Sequence, residues 1–191
     1  MTQQKIVDVY AVKDGQKIDA ASAGERVFRK LMSQLHLVSS LDVKVGFIGD
    51  SQFSQRKPIG GGDDKPKQSQ MLNNASLAYL HENGAPGAGI PARPFLTPVP
   101  RQCRQIATDL LKTGISGALK KGDKQAVPSA LQKVGIKMRD QAKNNIRNQD
   151  GFAPLSAATL RARKARKVTR TKALIDTGQL LNAITYEVTD D

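Results

Sequence analysis

His81-Glu82-Asn83-Gly84-Ala85-Pro86-Gly87-Ala88-Gly89-Ile90-Pro91-Ala92-Arg93-Pro94-Phe95-Leu96-Thr97-Pro98 is the stretch around which the rest of the chain is organised. The run that leads into it, Asn74 to Asn83, reads as a short helix with Leu77, Leu80 and His81 on one side. Gly84 to Gly89 then reads as a loop, because glycine adopts backbone angles that other residues avoid. Pro91, Pro94 and Pro98 punctuate an extended segment, since each proline removes an N–H and pushes the residue before it out of the helical region. Arg93 is thereby held between two constrained residues, and fixing its side chain costs less entropy. Its expected partner is a carboxylate or a carbonyl, with Glu82 the best local candidate. Phe95 follows as a large apolar anchor expected to be buried nearby. Composition alone also allows a plainer reading, a stiff turn that delivers the chain to the next helix.

On either side of this stretch, two further segments set the frame. Val43, Val45 and Phe47 alternate with Lys44 and Gly46, as in a half-buried strand, and Thr185 to Thr189 reads as a closing strand. An unpaired strand exposes backbone donors and acceptors, so the two are expected in one sheet. The helix predicted over Ala23 to Leu37, and at least one of two long helices downstream, are expected to cover its apolar face. Val27, Phe28, Leu31, Met32 and Leu35 recur at helical spacing in the first helix, with Ser22 and Glu25 as a capping box before it.

After Pro100, Cys103, Ile106, Ala107, Leu110, Leu111, Ala118 and Leu119 mark one face of a long helix. Gly114 and Gly117 weaken it and Gly122 stops it. Asp123 can cap a second helix, with Leu131, Val134, Met138, Ala142 and Ile146 on one stripe. Two antiparallel helices joined by a short turn is the economical arrangement. Ser156 can cap a helix to Arg166, and Asp176 with Gln179 fits a capping box for a short helix carrying Leu180, Leu181 and Ile184. Lys5 to Val12 reads as a strand ahead of an Asp14-Gly15 turn. Ser51 to Gln70 is poor in apolar residues and reads as a flexible loop. The fold class is therefore α+β: a small, mostly antiparallel sheet packed by several helices, with an N-terminal arm (1–21) ahead of a single domain (22–191) that carries the flexible insertion at 51–70.

Leu77-Ala78-Tyr79-Leu80-His81-Glu82-Asn83-Gly84, followed by Ile90-Pro91-Ala92-Arg93-Pro94-Phe95-Leu96, resembles the Mu-like virion-morphogenesis proteins and related tail-completion proteins of tailed phages. In that family a glutamate-x-glycine turn precedes a proline-x-arginine-proline-phenylalanine segment. A second stretch similar to the family is Leu155-Ser156-x-x-Thr159 with Leu174-Ile175-Asp176-Thr177-Gly178-Gln179-Leu180, and a third is the strand Val43-Lys44-Val45-Gly46-Phe47. The three come in the family's order. The resemblance marks Glu82, Gly84, Pro91, Arg93, Pro94, Phe95, Asp176, Thr177, Gly178 and Leu180 as motif positions. It implies a neck or tail-completion component that joins head and tail as a hexameric ring, located in the virion and made in the host cytoplasm. The partners it implies are further copies of the chain and other neck and tail proteins: connector, tail terminator or tail tube.

Composition bounds the chemistry. The chain has 191 residues, 39% of them hydrophobic, enough for one domain with a core, but only 4% are aromatic and Trp is absent, so Leu, Ile, Val and Ala must fill it. The formal net charge of +13 favours an anionic partner. The single cysteine, Cys103, rules out an internal disulfide, and its place on an apolar helix face reads as a buried, inert thiol. No apolar run approaches the roughly 20 residues needed to cross a bilayer, and Met1 to Ala20 does not read as a signal peptide. No membrane partner is expected, and the chain reads as one kept in a cytoplasm. His36 and His81 stand in no metal-binding pattern, Gly60-Gly61-Gly62 lacks the Lys-Ser/Thr of a phosphate loop, and Asp63-Asp64 sits in the flexible loop. No cofactor, metal or catalytic site is expected.

One charge run is informative: Arg161, Arg163, Lys164, Arg166, Lys167, Arg170 and Lys172, with no acid between Ser156 and Ile175. So many like charges repel unless an anionic surface screens them. The partner is either an acidic protein neighbour or phosphate, including DNA passing through a ring. Without helix-turn-helix, zinc-finger or aromatic signatures, sequence reading is not expected. The alternative function is therefore a non-specific cytoplasmic DNA-binding protein.

Overall fold

The computed structural model describes residues 10–13, 16–49 and 73–190. The 51–70 insertion, residues 5–9 of the expected Lys5–Val12 strand and the expected Asp14-Gly15 turn lie outside them. Among the described residues the architecture is α+β, with six α-helices and two antiparallel strand pairs. Strands β1 (Tyr10–Lys13) and β2 (Gln16–Asp19) pair with Tyr10 opposite Asp19 and Lys13 opposite Gln16.

Strand β2 runs without a break into α1 (Ala20–Ser40), and α1 into β3 (Leu41–Gly46). The helix therefore starts before Ser22, which stands in its first turn instead of capping it. Glu25, the other half of the expected capping box, forms an exposed i,i+4 pair with Arg29 at 2.5 Å.

Strand β3 pairs antiparallel with β4 (Thr185–Asp190): Leu41 faces Asp190, Val43 faces Val188 and Val45 faces Tyr186. Leu41, Val43 and Val45 are half-buried while Asp42 and Lys44 are exposed. The period-2 pattern thus puts one face of the ribbon on the core. That face is covered by the helical hairpin of α3 (Val99–Lys121) and α4 (Ala126–Asn148). Leu41, Val43 and Val188 pack on buried Ala118, Val127 and Leu131. The Tyr186 ring packs against Gly135, where any Cβ would collide with it, and the Arg139 guanidinium sits 5.7 Å from the ring centroid.

The hairpin is tight for a reason visible in α3. A Cβ on Gly114 would come within 2.6 Å of Ala130 Cβ and 2.8 Å of the Ala126 carbonyl oxygen. The glycine that lowers helix propensity permits the close approach of α4. Along α4, Leu131, Val134, Ala142 and Ile146 are buried and Met138 is half-buried, as the stripe requires. Asp123 accepts the Gln125 N–H at 2.9 Å, in the turn that ends in α4. Ile106 departs from the expected α3 face and is exposed.

The expected role of α1 is corrected. Its Lys30 Nζ donates to the Leu119 carbonyl of α3 at 3.0 Å, so the helix leans on α3 by a polar contact. Val27, Phe28, Met32 and Leu35 stay exposed, at 67%, 60%, 49% and 45%. The sheet is covered by α3 and α4 and not by the apolar stripe of α1. Among the described residues, no helix is long and apolar enough to cross a membrane.

Candidate functional site

Helix α2 (Asn74–Asn83) begins at Asn73, whose side chain accepts the Ser76 N–H at 2.7 Å. It ends at Gly84, with φ 74°, where a Cβ would lie 2.7 Å from the Ala92 nitrogen. Both the angle and the space require glycine there. The loop then closes on itself: Ala85 and Ile90 exchange backbone hydrogen bonds of 2.8 and 3.1 Å around a 3-10 turn at Pro86–Ala88, and the Arg93 N–H donates to the His81 carbonyl at 2.7 Å. The chain is thereby returned to the end of α2, with Pro91 and Pro94 exposed on the outside.

The Glu82 carboxylate does not meet Arg93. It accepts three successive backbone N–H groups, from Phe95 (2.9 Å), Leu96 (3.1 Å) and Thr97 (2.7 Å). These are donors of the turn that leads into α3, where no earlier turn supplies carbonyls. A carboxylate carries acceptor sites for all of them, which is why it goes there and not to the guanidinium. Arg93 is 5% exposed and finds carbonyls instead: Nε donates to Ala153 at 3.0 Å and Nη2 to Pro154 at 3.2 Å. Burial lowers the pKa of this guanidinium from its ordinary value. The expectation of a carbonyl partner is met; Glu82 as that partner is corrected.

Phe95 is fully buried, its ring edge-on to Phe47 at 6.5 Å, and its carbonyl accepts from Asn145 Nδ2 at 3.0 Å. Cys103 is buried beside it in the same cluster, and burial raises its thiol pKa, as an inert core cysteine requires.

A second buried arginine organises the far motif. Ser156 caps α5 (Ala157–Ala165), its Oγ accepting the Thr159 N–H at 3.2 Å. From α5, Arg163 Nη1 donates to the carbonyls of Arg170 (2.9 Å), Lys172 (2.9 Å) and Ile175 (3.2 Å), with Nε 3.8 Å from Asp176. Arg166 donates twice to Asp176 Oδ2, at 3.1 and 3.2 Å, and Arg170 to the Asp176 carbonyl at 2.9 Å. Lys172 Nζ reaches the Arg147 carbonyl at 2.6 Å. The Gln149 side chain brackets Ala173, accepting its N–H at 2.7 Å and donating to its carbonyl at 3.1 Å, next to Leu174, which is held buried at φ 61°. Such a backbone angle in leucine costs energy and persists because the surroundings fix it.

Asp176 is therefore not the cap of the short helix α6 (Gln179–Ala183). That helix starts at Gly178, φ 86°, with no side-chain cap. Two guanidinium groups compete for the carboxylate, and charge-assisted bonds outweigh a cap. Thr177 Oγ1 takes the Gln179 N–H at 3.4 Å instead.

The two motif regions, far apart in sequence, meet here. Phe95 and Leu180 belong to one core cluster with Ala78, Ile146, Leu174 and Ile184. A pocket of about 170 Å3 between them is lined by Leu77, His81, Arg166, Asp176, Thr177 and Leu180 among others. The basic run is split. Arg163, assigned by the sequence to an outside partner, is 5% exposed and spent on internal carbonyls. Arg166, Arg170 and Lys172 also hold the chain, while Arg161, Lys164 and Lys167 point outward and are exposed. Sequence reasoning missed Gln149 and Asn145, the polar clamps of α4's last turn; an amide near a helix C-terminus is too common to stand out. Among the described residues, no group of three or more His, Cys, Asp or Glu could hold a metal ion. Comparison with models of known protein families, with curated proteins and with solved structures finds no match.

Arg93→Ala is expected to cost about 2–4 kcal/mol, because two carbonyls lose their donor and an apolar stem leaves a gap. Urea unfolding reads this as a lower midpoint at unchanged slope. A loss within about 0.5 kcal/mol, as at an ordinary surface site, would contradict the role given to Arg93.

Proposed function

We propose that the chain is a structural virion protein of a tailed phage, a neck or tail-completion component that joins head and tail as a ring of six copies. The reading rests on the resemblance of the segments around Glu82–Phe95 and Asp176–Leu180, and it is supported by their meeting in one core. The observation that carries the assembly part is α1. Its Val27, Phe28, Met32 and Leu35 are exposed at about half or more, on a helix anchored to its own chain by a polar contact. Together they present a few hundred Å2 of apolar surface, about the largest patch a typical monomer shows and roughly half of one partner's share of a stable interface.

The occupant we assign is the next copy in the ring. A chain of net charge +13 repels its own copies, and α1 itself carries Arg26, Arg29 and Lys30 against Glu25, so the contact must be held by burial of the apolar stripe, with the cations left at its polar rim. The test is Phe28→Glu with Met32→Glu. Both side chains are exposed, so the isolated fold should lose no more than about 0.5 kcal/mol. Two charges buried at a copy–copy contact would cost several kcal/mol, so the variant should fail to complement particle formation. Normal particle yield with the double variant would overturn α1 as the ring contact. Loss of particles with copies still associated would assign α1 to another virion protein.

A further inference from the structure

Between Arg161 and Asp176 the chain carries seven cations against one carboxylate. The structure sorts them by use. Arg163, Arg166, Arg170 and Lys172 bind carbonyls or Asp176 and hold the loop rigid. Arg161, Lys164 and Lys167 are exposed, and their side chains make no hydrogen bond or ion pair among the described residues. They are mounted on α5 and on the turn behind it, where Lys167 has φ 59° and its N–H is tied to the Lys164 carbonyl at 2.9 Å. Beside them lies a groove of about 400 Å3 whose walls include Leu160, Lys164, Lys167, Thr169, Arg170 and Thr171.

We propose that this groove and the three free cations form a docking surface for the phosphate backbone of duplex DNA, read without regard to sequence. The inference stands apart from the virion reading, because it needs only the charges and the loop that holds them. The chemistry of the walls decides between anions. Protein interfaces favour aromatic and arginine anchors in desolvated pockets and are poor in lysine. Here the two wall arginines, Arg163 and Arg170, are committed to internal carbonyls, and what the walls offer a partner is the lysine ammonium groups and threonine hydroxyls, which are ordinary donors to phosphate oxygens. The groove has no aromatic ring on which unpaired bases could stack, and such stacking is how single strands are usually held. Arg163 fixes the backbone beneath the cations, so little ordering entropy opposes binding.

The experiment is fluorescence anisotropy of the full chain with a short labelled duplex of random sequence, over about 50–200 mM salt. Affinity should be micromolar or tighter at the low end and fall steeply with salt. The triple variant Arg161→Gln, Lys164→Gln, Lys167→Gln should weaken binding at least tenfold at low salt and reduce the log–log salt slope by about 2.7, three contacts at about 0.9 each. A control with the same charge loss elsewhere, Lys120→Gln, Lys121→Gln, Lys124→Gln, on exposed residues at the α3–α4 turn, should change both much less. If the first triple does not fold, Lys164→Gln and Lys167→Gln carry the test singly, each lowering the slope by about 0.9. Equal losses for the two triples would mean net charge and not a site, and would overturn the proposal. So would wild-type protein that does not bind, or displacement of the duplex by polyglutamate at equal charge concentration, which would mark the surface as one for an acidic protein.

Discussion

Phe95→Ala should lower the stability of the fold by about 3–5 kcal/mol. The side chain is completely buried, meets Phe47 edge-on, and sits in the cluster where α2, α3, α4 and α6 come together. Its backbone is pinned from two directions, by Glu82 on its N–H and by Asn145 on its carbonyl. The surroundings therefore cannot collapse into the space that alanine would leave, which places the cost toward the upper end of the range. Domains of this size are stable by about 5–15 kcal/mol in total, so this one substitution removes a large share of the margin. Urea unfolding followed by circular dichroism reads the loss directly. Tyr79→Ala, at a residue 74% exposed, serves as the control and should change stability by less than about 0.5 kcal/mol. Equal effects at the two positions would mean that Phe95 is not the anchor described.

Arg163→Met should cost about 3 kcal/mol and act locally. Methionine keeps much of the stem's volume but leaves the carbonyls of Arg170, Lys172 and Ile175 without their donor, at about 1 kcal/mol or more each. The Asp176 carboxylate would still hold Arg166, so the loss falls on the path of residues 167–175 and not on the sheet. Local opening then precedes global unfolding. The expected readout is faster limited trypsin cleavage at Lys167, Arg170 and Lys172, under conditions where the α3–α4 hairpin stays intact. Unchanged cleavage at these sites would show that the loop does not depend on Arg163.

Much of the architecture is legible in the residues. Alternation gives β3 and β4, the apolar stripe of α4 names its buried face, and Asn74–Asn83 reads as a helix from Leu77, Leu80 and His81 on one side, ahead of the glycines of the loop. What the sequence hides is competition between partners. Glu82 lies close to Arg93 in the chain, yet three orphan N–H groups are a better match for a carboxylate than one guanidinium that can reach carbonyls. Asp176 stands at capping distance from Gln179, yet two arginines claim it first. Local spacing records neither contest, because the competing groups arrive from elsewhere in the fold. The same limit explains α1: helical periodicity locates the stripe of Phe28, Met32 and Leu35 but does not say whether the chain itself or a neighbour covers it. The basic run looked uniform for a related reason, since burial of Arg163 depends on carbonyls that converge only after residues 166–176 have turned back.

The proposed virion role is tested most directly by quantitative mass spectrometry of gradient-purified phage particles from cells that carry the gene for this chain. The chain should be present at a fixed ratio to the other neck and tail proteins in every preparation and resist a high-salt wash. Its absence from purified virions, whatever its oligomeric state in isolation, would contradict the assignment.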